Sequence, residues 1–123
     1  MRVLIVDDEP IILRSIKSLT KQLKEYWNID TCLNAAEAKE YILKNNYDIL
    51  ITDINLPVIN GLELAEWCKR KNPSILIAII SAYSEFDYAQ KAMTLDIKNY
   101  VLKPINVEQF SVVLDSLEKE YFD

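Results

Sequence analysis

Charged side chains directly follow three short apolar runs of this chain. Asp7 and Asp8 follow the first run, Asp53 follows the second, and Lys103 follows the third. A short β-branched run that stops at a charge is typical of a buried parallel strand, which carries the charge to the carboxyl edge of its sheet. Ligands of open α/β sheets bind at that edge. Three carboxylates and one ammonium brought together there would form a site for a divalent cation and a phosphoryl group.

The three carboxylates would repel one another at a shared edge. Two unit charges ~5 Å apart repel by about 3 kcal/mol at an effective dielectric constant of ~20. A hard cation with oxygen ligands, such as Mg²⁺, would neutralise such a cluster. The structural alternative is that Asp8 caps the first helix and Asp53 caps a turn. The recurrence of aspartate at matching strand ends favours the cation site.

Lys103 and Ser81 each have a structural and a functional interpretation. A lysine before a proline is commonly a solvated loop residue, but beside an acidic edge its ammonium can reach a phosphoryl oxygen. Ser81 ends the fourth apolar run, where its hydroxyl either caps a turn or helix or donates to a phosphoryl oxygen, with the Ala82 N–H beside it. Both isomers of the Lys103–Pro104 bond are open at this stage.

Apolar runs alternate with stretches of helical periodicity along the chain, which predicts βα units. Right-handed crossovers then require a parallel sheet that is covered on both faces. The expected fold class is α/β, a single doubly wound five-stranded parallel sheet in the order 2-1-3-4-5, with the polar second strand at an edge. The predicted strands are Arg2–Val6, Trp27–Leu33, Ile49–Thr52, Ile75–Ser81 and Asn99–Leu102.

Five helices are predicted to follow the five strands. Pro10 suits the first turn of the first helix, and the third helix follows Gly61. Asn34, Ser84 and Asn106 are the expected caps of the second, fourth and fifth helices. Helical spacing predicts the inward-facing residues of the first, second, third and fifth helices. In that order they are Ile12, Ile16, Leu19 and Leu23; Ala35, Ala38 and Ile42; Leu62, Ala65 and Cys68; and Phe110, Val113, Leu114, Leu117 and Tyr121.

Length and composition limit the class of protein. A chain of 123 residues is long enough for one domain, which we place at residues 1–123. The net charge of −5 argues against nucleic-acid binding by this domain. The longest apolar run, residues 75–80, is far shorter than the ~20 residues of a membrane span. Asp7 and Asp8 interrupt the N-terminal apolar stretch, so no signal peptide is expected.

Cysteine and histidine content narrows the chemistry. Cys32 and Cys68 have neither a metal-ligand nor a redox spacing, so reduced, buried thiols and a cytoplasmic protein are expected. The chain contains no histidine. This excludes a Ser-His-Asp triad and an imidazole metal site within these residues.

Four motifs together resemble the receiver domain of two-component response regulators. The likeness covers essentially the whole chain, and the motifs occur in the family's order and spacing. It implies a CheY-like (βα)₅ fold and a signalling switch, not an enzyme, whose only chemistry is self-phosphorylation and its reversal. The motifs are Val6-Asp7-Asp8-Glu9-Pro10, Asp53-Ile-Asn-Leu-Pro57 with Gly61, Ser81-Ala82, and Tyr100-Val-Leu-Lys103-Pro104.

The resemblance implies a role for each residue of the acidic motifs. Asp53 would be the phospho-acceptor and a Mg²⁺ ligand. Asp8 would bind the ion directly, Asp7 would hold it through water, and the Asn55 carbonyl would complete the protein ligands.

The resemblance also implies how the site binds a phosphoryl group and responds to it. Lys103 and Ser81 would bind phosphoryl oxygens, with Ala82 beside them. Tyr100 would be the aromatic switch, a ring that turns inward once the Ser81 hydroxyl moves; the alternative is an edge-strand aromatic without a switching role. A sensor histidine kinase would be the phosphodonor. The fourth helix, fifth strand and fifth helix would form a homodimer or partner surface.

Residues 81–92 look like those of regulators whose receiver precedes an AraC-type DNA-binding domain. No such domain follows within this sequence, so we expect an N-terminal module that controls transcription through a missing C-terminal domain. The alternative is a stand-alone receiver that acts on a partner in trans. An aspartyl-phosphate phosphohydrolase is disfavoured, because Asn55 stands where its acid/base aspartate is needed. A nucleotide-binding module would need a glycine-rich loop after the first strand.

Three departures from the family pattern affect loops. Leu56 stands where methionine is common, and Val58 where glycine is common; both are expected to be tolerated. The bulky Tyr83 predicts slow dephosphorylation. The segment at residues 95–97 lacks the usual glycine, so the fourth helix is expected to end loosely.

Overall fold

The computed structural model describes residues 1–82, 97 and 99–123 of the chain. Within them lie five strands and four helices; the predicted fourth helix, with Ser84 and Tyr83, lies outside the described residues. The helix labelled α4 is therefore the fifth helix of the sequence-based prediction. The elements are β1 (Arg2–Val6), α1 (Pro10–Leu23), β2 (Asn28–Cys32), α2 (Ala35–Lys44), β3 (Ile49–Asp53), α3 (Gly61–Lys71), β4 (Leu76–Ala82), β5 (Asn99–Lys103) and α4 (Val107–Phe122).

The five strands form one parallel sheet in the order β2-β1-β3-β4-β5. This confirms the predicted fold class, strand order and edge position of β2. The register pairs Val6 with Cys32 and with Thr52, and Ala82 with Lys103. The carboxyl ends of the strands consequently meet at one edge of the sheet.

Two apolar cores cover the two faces of the sheet. Alternate residues of each central strand face opposite sides, so Leu4 belongs to one core and Ile5 to the other. Helices α2 and α3 pack on the first face, and α1 and α4 pack on the second. Because β1, β3 and β4 are buried from both sides, the strand ends that carry the polar residues are held rigidly. No described helix is long and apolar enough to cross a membrane.

Asparagine side chains cap three of the helices. Asn34, Asn60 and Asn106 accept hydrogen bonds from the third backbone N–H of α2, α3 and α4, at 2.8, 2.9 and 3.0 Å. Two of these caps confirm the sequence-based prediction, and Asn60 was missed. Helix α1 begins at Pro10 as predicted, but its N-cap residue is Glu9, without a side-chain cap. Asp8 is therefore not a helix cap and is available for another role.

The structure places two apolar residues differently from the sequence-based prediction. Trp27 precedes β2 instead of opening it, and it is wholly buried. Tyr121 was predicted to be on the buried face of α4, but it is 46% exposed. The physical reason is that Leu117 is the last α4 residue within the core, and the helix continues beyond it. The Tyr121 ring instead packs edge-on against Phe122, with the ring centroids 5.0 Å apart.

Glu118 of α4 is bound by three residues of the turn between α1 and β2. The Lys24 ammonium lies 3.1 Å from Glu118 Oε1, and Tyr26 and Trp27 donate to Oε2 at 2.7 and 3.1 Å. Lys24 also contacts Asp115 Oδ1 at 2.7 Å and is largely buried. The hydrogen bond from Tyr26 is the main reason that the pKa of Glu118 lies below its usual value. These contacts connect the C-terminal half of α4 to the turn that precedes β2.

Replacing Glu118 with alanine should lower the free energy of unfolding by about 1–2 kcal/mol, because the buried Trp27 N–H loses its acceptor. The matched control is Glu66→Ala, which breaks only the exposed pair with Arg70 and should cost about 0.5 kcal/mol or less. Urea unfolding at pH 7 measures both. Since the folded pKa of Glu118 is lowered, its contribution is full above the ordinary value of 4.5 and is lost as the pH falls further. Equal losses in the two variants would contradict this account.

Candidate acidic phosphoryl site

The sheet brings the predicted site residues to one edge. Asp53 and Lys103 are the last residues of β3 and β5, Ala82 is the last residue of β4, and Asp7 directly follows β1. The prediction ended β3 and β5 one residue earlier. Since both charged residues are part of their strands, the sheet hydrogen bonds hold their backbones in place.

The three aspartates form one cluster. Asp7, Asp8 and Asp53 each have a carboxylate oxygen within 4.8 Å of those of the other two. Asp7 and Asp53 are buried, whereas Asp8 is exposed. Asp7 Oδ1 accepts the Glu9 N–H at 2.9 Å, and Asp53 Oδ1 accepts the Asn55 N–H at 3.3 Å. The turn-capping alternative for Asp53 is thus partly correct, but it leaves the second oxygen for the site.

Lys103 bridges two of the carboxylates. Its Nζ lies 3.0 Å from Asp53 Oδ2 and 3.2 Å from Asp7 Oδ2. Burial acts to lower the pKa of Lys103, but hydrogen bonding and charge from Asp53 and Asp7 outweigh it and raise the pKa. Lys103 therefore remains an ammonium at neutral pH. The Lys103–Pro104 bond is cis.

Burial and the Lys103 ammonium have opposite effects on the pKa of Asp53. Removal from water raises its pKa, the Lys103 ammonium opposes this, and the nearby Asp7 adds to it, so that the net direction is upward. The ionised form of this carboxylate is thus less stable here than in water. A further positive charge at the cluster would favour it.

The cluster fits a divalent cation in charge and in spacing. Three carboxylates and one ammonium sum to −2, which one divalent ion neutralises. Ligands on opposite sides of Mg²⁺ lie about 4.2 Å apart, close to the span of these oxygens, and Mg²⁺ prefers oxygen ligands with several retained waters. Asp8 leaves the cluster open to solvent on one side. The residues that are present therefore fit the ion that the family resemblance implies.

The other predicted residues lie on the same edge or just behind it. Ser81 is buried in β4, and its hydroxyl donates to the Ala82 carbonyl at 3.0 Å. Asn55 is exposed in the loop after β3. Tyr100 is half-buried in β5 and packs against the core on the α2 and α3 side.

Gly61 has a packing role that the sequence analysis did not assign. A Cβ at this position would lie 2.1 Å from the Asp53 carbonyl oxygen and 2.8 Å from its carbon. The Gly61 N–H also donates to the Ile54 carbonyl at 2.8 Å. The first turn of α3 thus rests directly on the peptide group of Asp53. The available signal was that this is the only glycine in the sequence.

Comparison with known proteins agrees with this architecture. Residues 3–115 match the family model described as the response regulator receiver domain. The chain belongs to this family. The match includes every residue of the acidic cluster, together with Ser81 and Lys103.

Two curated relatives and a solved structure are similar to this chain. The sensory transduction protein LytR of Staphylococcus saprophyticus is 34% identical over 97% of this chain and 46% of its own length. The uncharacterized transcriptional regulatory protein YesN of Bacillus subtilis is 34% identical over 96% of this chain and 32% of its own. A two-component AraC transcriptional regulator from Clostridium phytofermentans superposes with a TM-score of 0.89 and 27% identity, covering 99% and 95% of the two chains. The chain spans less than half the length of these two curated relatives.

Replacing Gly61 with alanine should displace the Asp53 peptide, because the new Cβ overlaps its carbonyl. We expect the free energy of unfolding to fall by about 2 kcal/mol and the rate of phosphorylation by acetyl phosphate to fall with it. Lys69→Ala, on the same helix, is the control and should leave both unchanged. Urea unfolding and intact mass spectrometry provide the measurements. A Gly61→Ala protein that matches the parent in both would contradict the close packing.

Replacing Lys103 with methionine should leave two buried carboxylates without their counter-charge. The expected loss is about 3 kcal/mol of stability in the absence of divalent ions. Added Mg²⁺ should restore more stability to this variant than to the parent, because it supplies the missing charge. Thermal unfolding with and without MgCl₂ tests this, with the exposed Lys44→Met as control. The idea fails if Mg²⁺ stabilises the variant and the parent equally.

Proposed function

We propose that this receiver domain, residues 1–123, accepts a phosphoryl group on Asp53 in a Mg²⁺-dependent reaction. The donor would be a sensor histidine kinase. The observation that carries the proposal is the Lys103 ammonium between Asp53 and Asp7, with Asp8 completing the cluster. Structural ion pairs alone do not require a third carboxylate at this spacing.

The chemical step is the attack of an Asp53 carboxylate oxygen on phosphorus. An O–P bond forms while the P–N bond of a phosphohistidine, or the P–O bond of acetyl phosphate, breaks in line with it. The leaving group keeps the electron pair, and the histidine nitrogen takes up a proton. Hydrolysis of the resulting acyl phosphate by water would regenerate Asp53 and release inorganic phosphate. Such a transition state needs mainly positioning and charge stabilisation.

Each site residue has a proposed part in that step. Asp8 and the Asn55 carbonyl would hold Mg²⁺ together with Asp53, and Asp7 would hold it through water. When bound, the ion supplies positive charge to the equatorial phosphoryl oxygens. Lys103 is already positioned by Asp53 and would donate to one of those oxygens.

The remaining site residues would hold the transferred group and report its arrival. Ser81 and the Ala82 N–H would bind a phosphoryl oxygen at the end of β4. Phosphorylation adds up to two negative charges, which would draw the Ser81 hydroxyl and allow the Tyr100 ring to turn inward. The surface that responds would comprise β5, α4 and the predicted fourth helix, where a second copy could dock. Exposed Val107 and Val112 on α4 supply apolar area for such a contact.

The downstream effect would be control of transcription in the cytoplasm. Two of the relatives described above are named as transcriptional regulators, and the curated ones are more than twice as long as the matched region. We propose that the output lies in a DNA-binding segment following the receiver. A receiver that acts on a separate partner protein is the alternative.

Acetyl phosphate in the presence of Mg²⁺ should add one phosphoryl group to the chain, observed as intact mass. Asp53→Asn should abolish the gain because the acceptor oxygen is lost. Asp8→Asn keeps the acceptor but removes an expected cation ligand, so the rate should fall by about tenfold or more. Asp123→Asn is the matched carboxylate control and should react like the parent.

Persistent phosphorylation of Asp53→Asn, or equal rates with Mg²⁺ and with chelator, would overturn the proposal. Size exclusion of the same samples, with beryllofluoride as a stable phosphoryl mimic, tests the dimer surface. A gain in mass without any change in elution volume would support phosphorylation of Asp53 and contradict the proposed dimer.

A further inference from the structure

Val58 has the one positive φ angle among the described residues that are not glycine. Its φ is +66°, and the Ile59 N–H donates to the Pro57 carbonyl at 2.8 Å across it. A hydrogen bond that spans three residues with a positive central φ is the rare, strained form of the γ-turn. A β-branched residue in this region is a genuine outlier. The sequence-based expectation that valine is tolerated at position 58 did not include this strain.

The side chain of Val58 is not buried in the fold. It is fully exposed to solvent, so the strain is not offset by burial of its methyl groups. The conformation is imposed by its neighbours instead. Leu56 is buried and Ile59 packs against the same core, so the chain must leave the core and return to it within three residues.

Glycine would adopt the same turn without strain, but it would also adopt many others. Without a Cβ, glycine populates positive and negative φ about equally. Valine, held at positive φ by Leu56 and Ile59, has only a narrow range of backbone angles. Valine at position 58 thus lowers the stability of the fold somewhat but restricts the loop to a single shape. Strained residues near functional sites can supply this kind of pre-organisation.

Asn55 lies in the same short loop as Val58. Asn55 is at the centre of a second tight turn, in which the Leu56 N–H donates to the Ile54 carbonyl at 3.2 Å. Its own N–H donates to Asp53 Oδ1 at 3.3 Å. Only two residues separate Asn55 from Val58, and Pro57, with its fixed φ, is one of them. A change of the backbone angles at Val58 should therefore also shift the backbone of Asn55, because few freely rotating bonds lie between the two residues.

We propose that Val58 is a positioning residue for the cation site, because its strained turn restricts the loop that presents the Asn55 carbonyl. The inference rests on the proposed function in taking that carbonyl as a Mg²⁺ ligand. The Val58 side chain is exposed and would touch neither the ion nor the phosphoryl group. Its effect is on the affinity for Mg²⁺, not on the rate of phosphoryl transfer once the ion is bound.

The test compares the parent with Val58→Gly and Val58→Asn. Asparagine tolerates positive φ but keeps a Cβ, so it relieves strain without freeing the loop. Both substitutions should raise the midpoint of thermal unfolding by about 2–5 °C. Val58→Gly should bind Mg²⁺ about two- to fivefold more weakly, and Val58→Asn should bind it like the parent. Isothermal titration calorimetry with MgCl₂ measures the affinity.

The dependence of the acetyl phosphate reaction on Mg²⁺ provides a second readout. Val58→Gly should need more Mg²⁺ for half-maximal rate, with an unchanged rate at saturation. Unchanged Mg²⁺ affinity in Val58→Gly would overturn the inference, as would equal weakening in Val58→Asn, which would point to the side chain. A lowered midpoint of thermal unfolding in both variants would contradict the strain inferred at Val58. If the parent itself does not bind Mg²⁺, the proposed function fails first, which is a separate result.

Discussion

The contact of Lys103 with Asp7 and Asp53 is the interaction on which the rest of this site depends. Two buried carboxylates so close together repel each other, and one ammonium at 3.0 and 3.2 Å from them offsets part of this repulsion. It leaves the cluster, with Asp8 included, two negative charges in excess. The same arrangement therefore stabilises the folded domain and gives its acidic edge a net charge that one divalent ion would neutralise.

The packing of the strand ends holds these charges close together. The charged residues are at or next to the ends of strands that are buried on both faces, and Gly61 brings α3 into direct contact with the Asp53 peptide. At the far end of α4, Glu118 accepts three hydrogen bonds from the turn before β2. Contacts that hold the helices in place are thus found both beside the acidic edge and at the far end of α4. In the proposed function, a phosphoryl group on Asp53 would compete for Lys103 and so change the one contact that the edge relies on.

Val58 illustrates the opposite use of the backbone. The packing of Leu56 and Ile59 against the core holds Val58 in a conformation that valine disfavours. Natural proteins retain such strain where a fixed geometry is worth more than the lost stability. The loop after β3 therefore combines a tight contact at Gly61 with a strained turn at Val58, both within eight residues of the proposed phospho-acceptor.

Local sequence patterns were enough to predict the fold class and strand order, and with them the placement of Asp7, Asp53 and Lys103 at one edge, because buried parallel strands and amphipathic helices have distinct spacings. The Asn34 and Asn106 caps were predicted from residue type at the helix starts. Periodicity was wrong for Tyr121, since helical spacing states which face a residue occupies but not how far the core extends along it. Only the tertiary structure decided the bridging position of Lys103, the contact between Gly61 and Asp53, and the strained angle at Val58. These depend on distances between residues far apart in the chain, or on neighbours anchored elsewhere, and no local pattern encodes them.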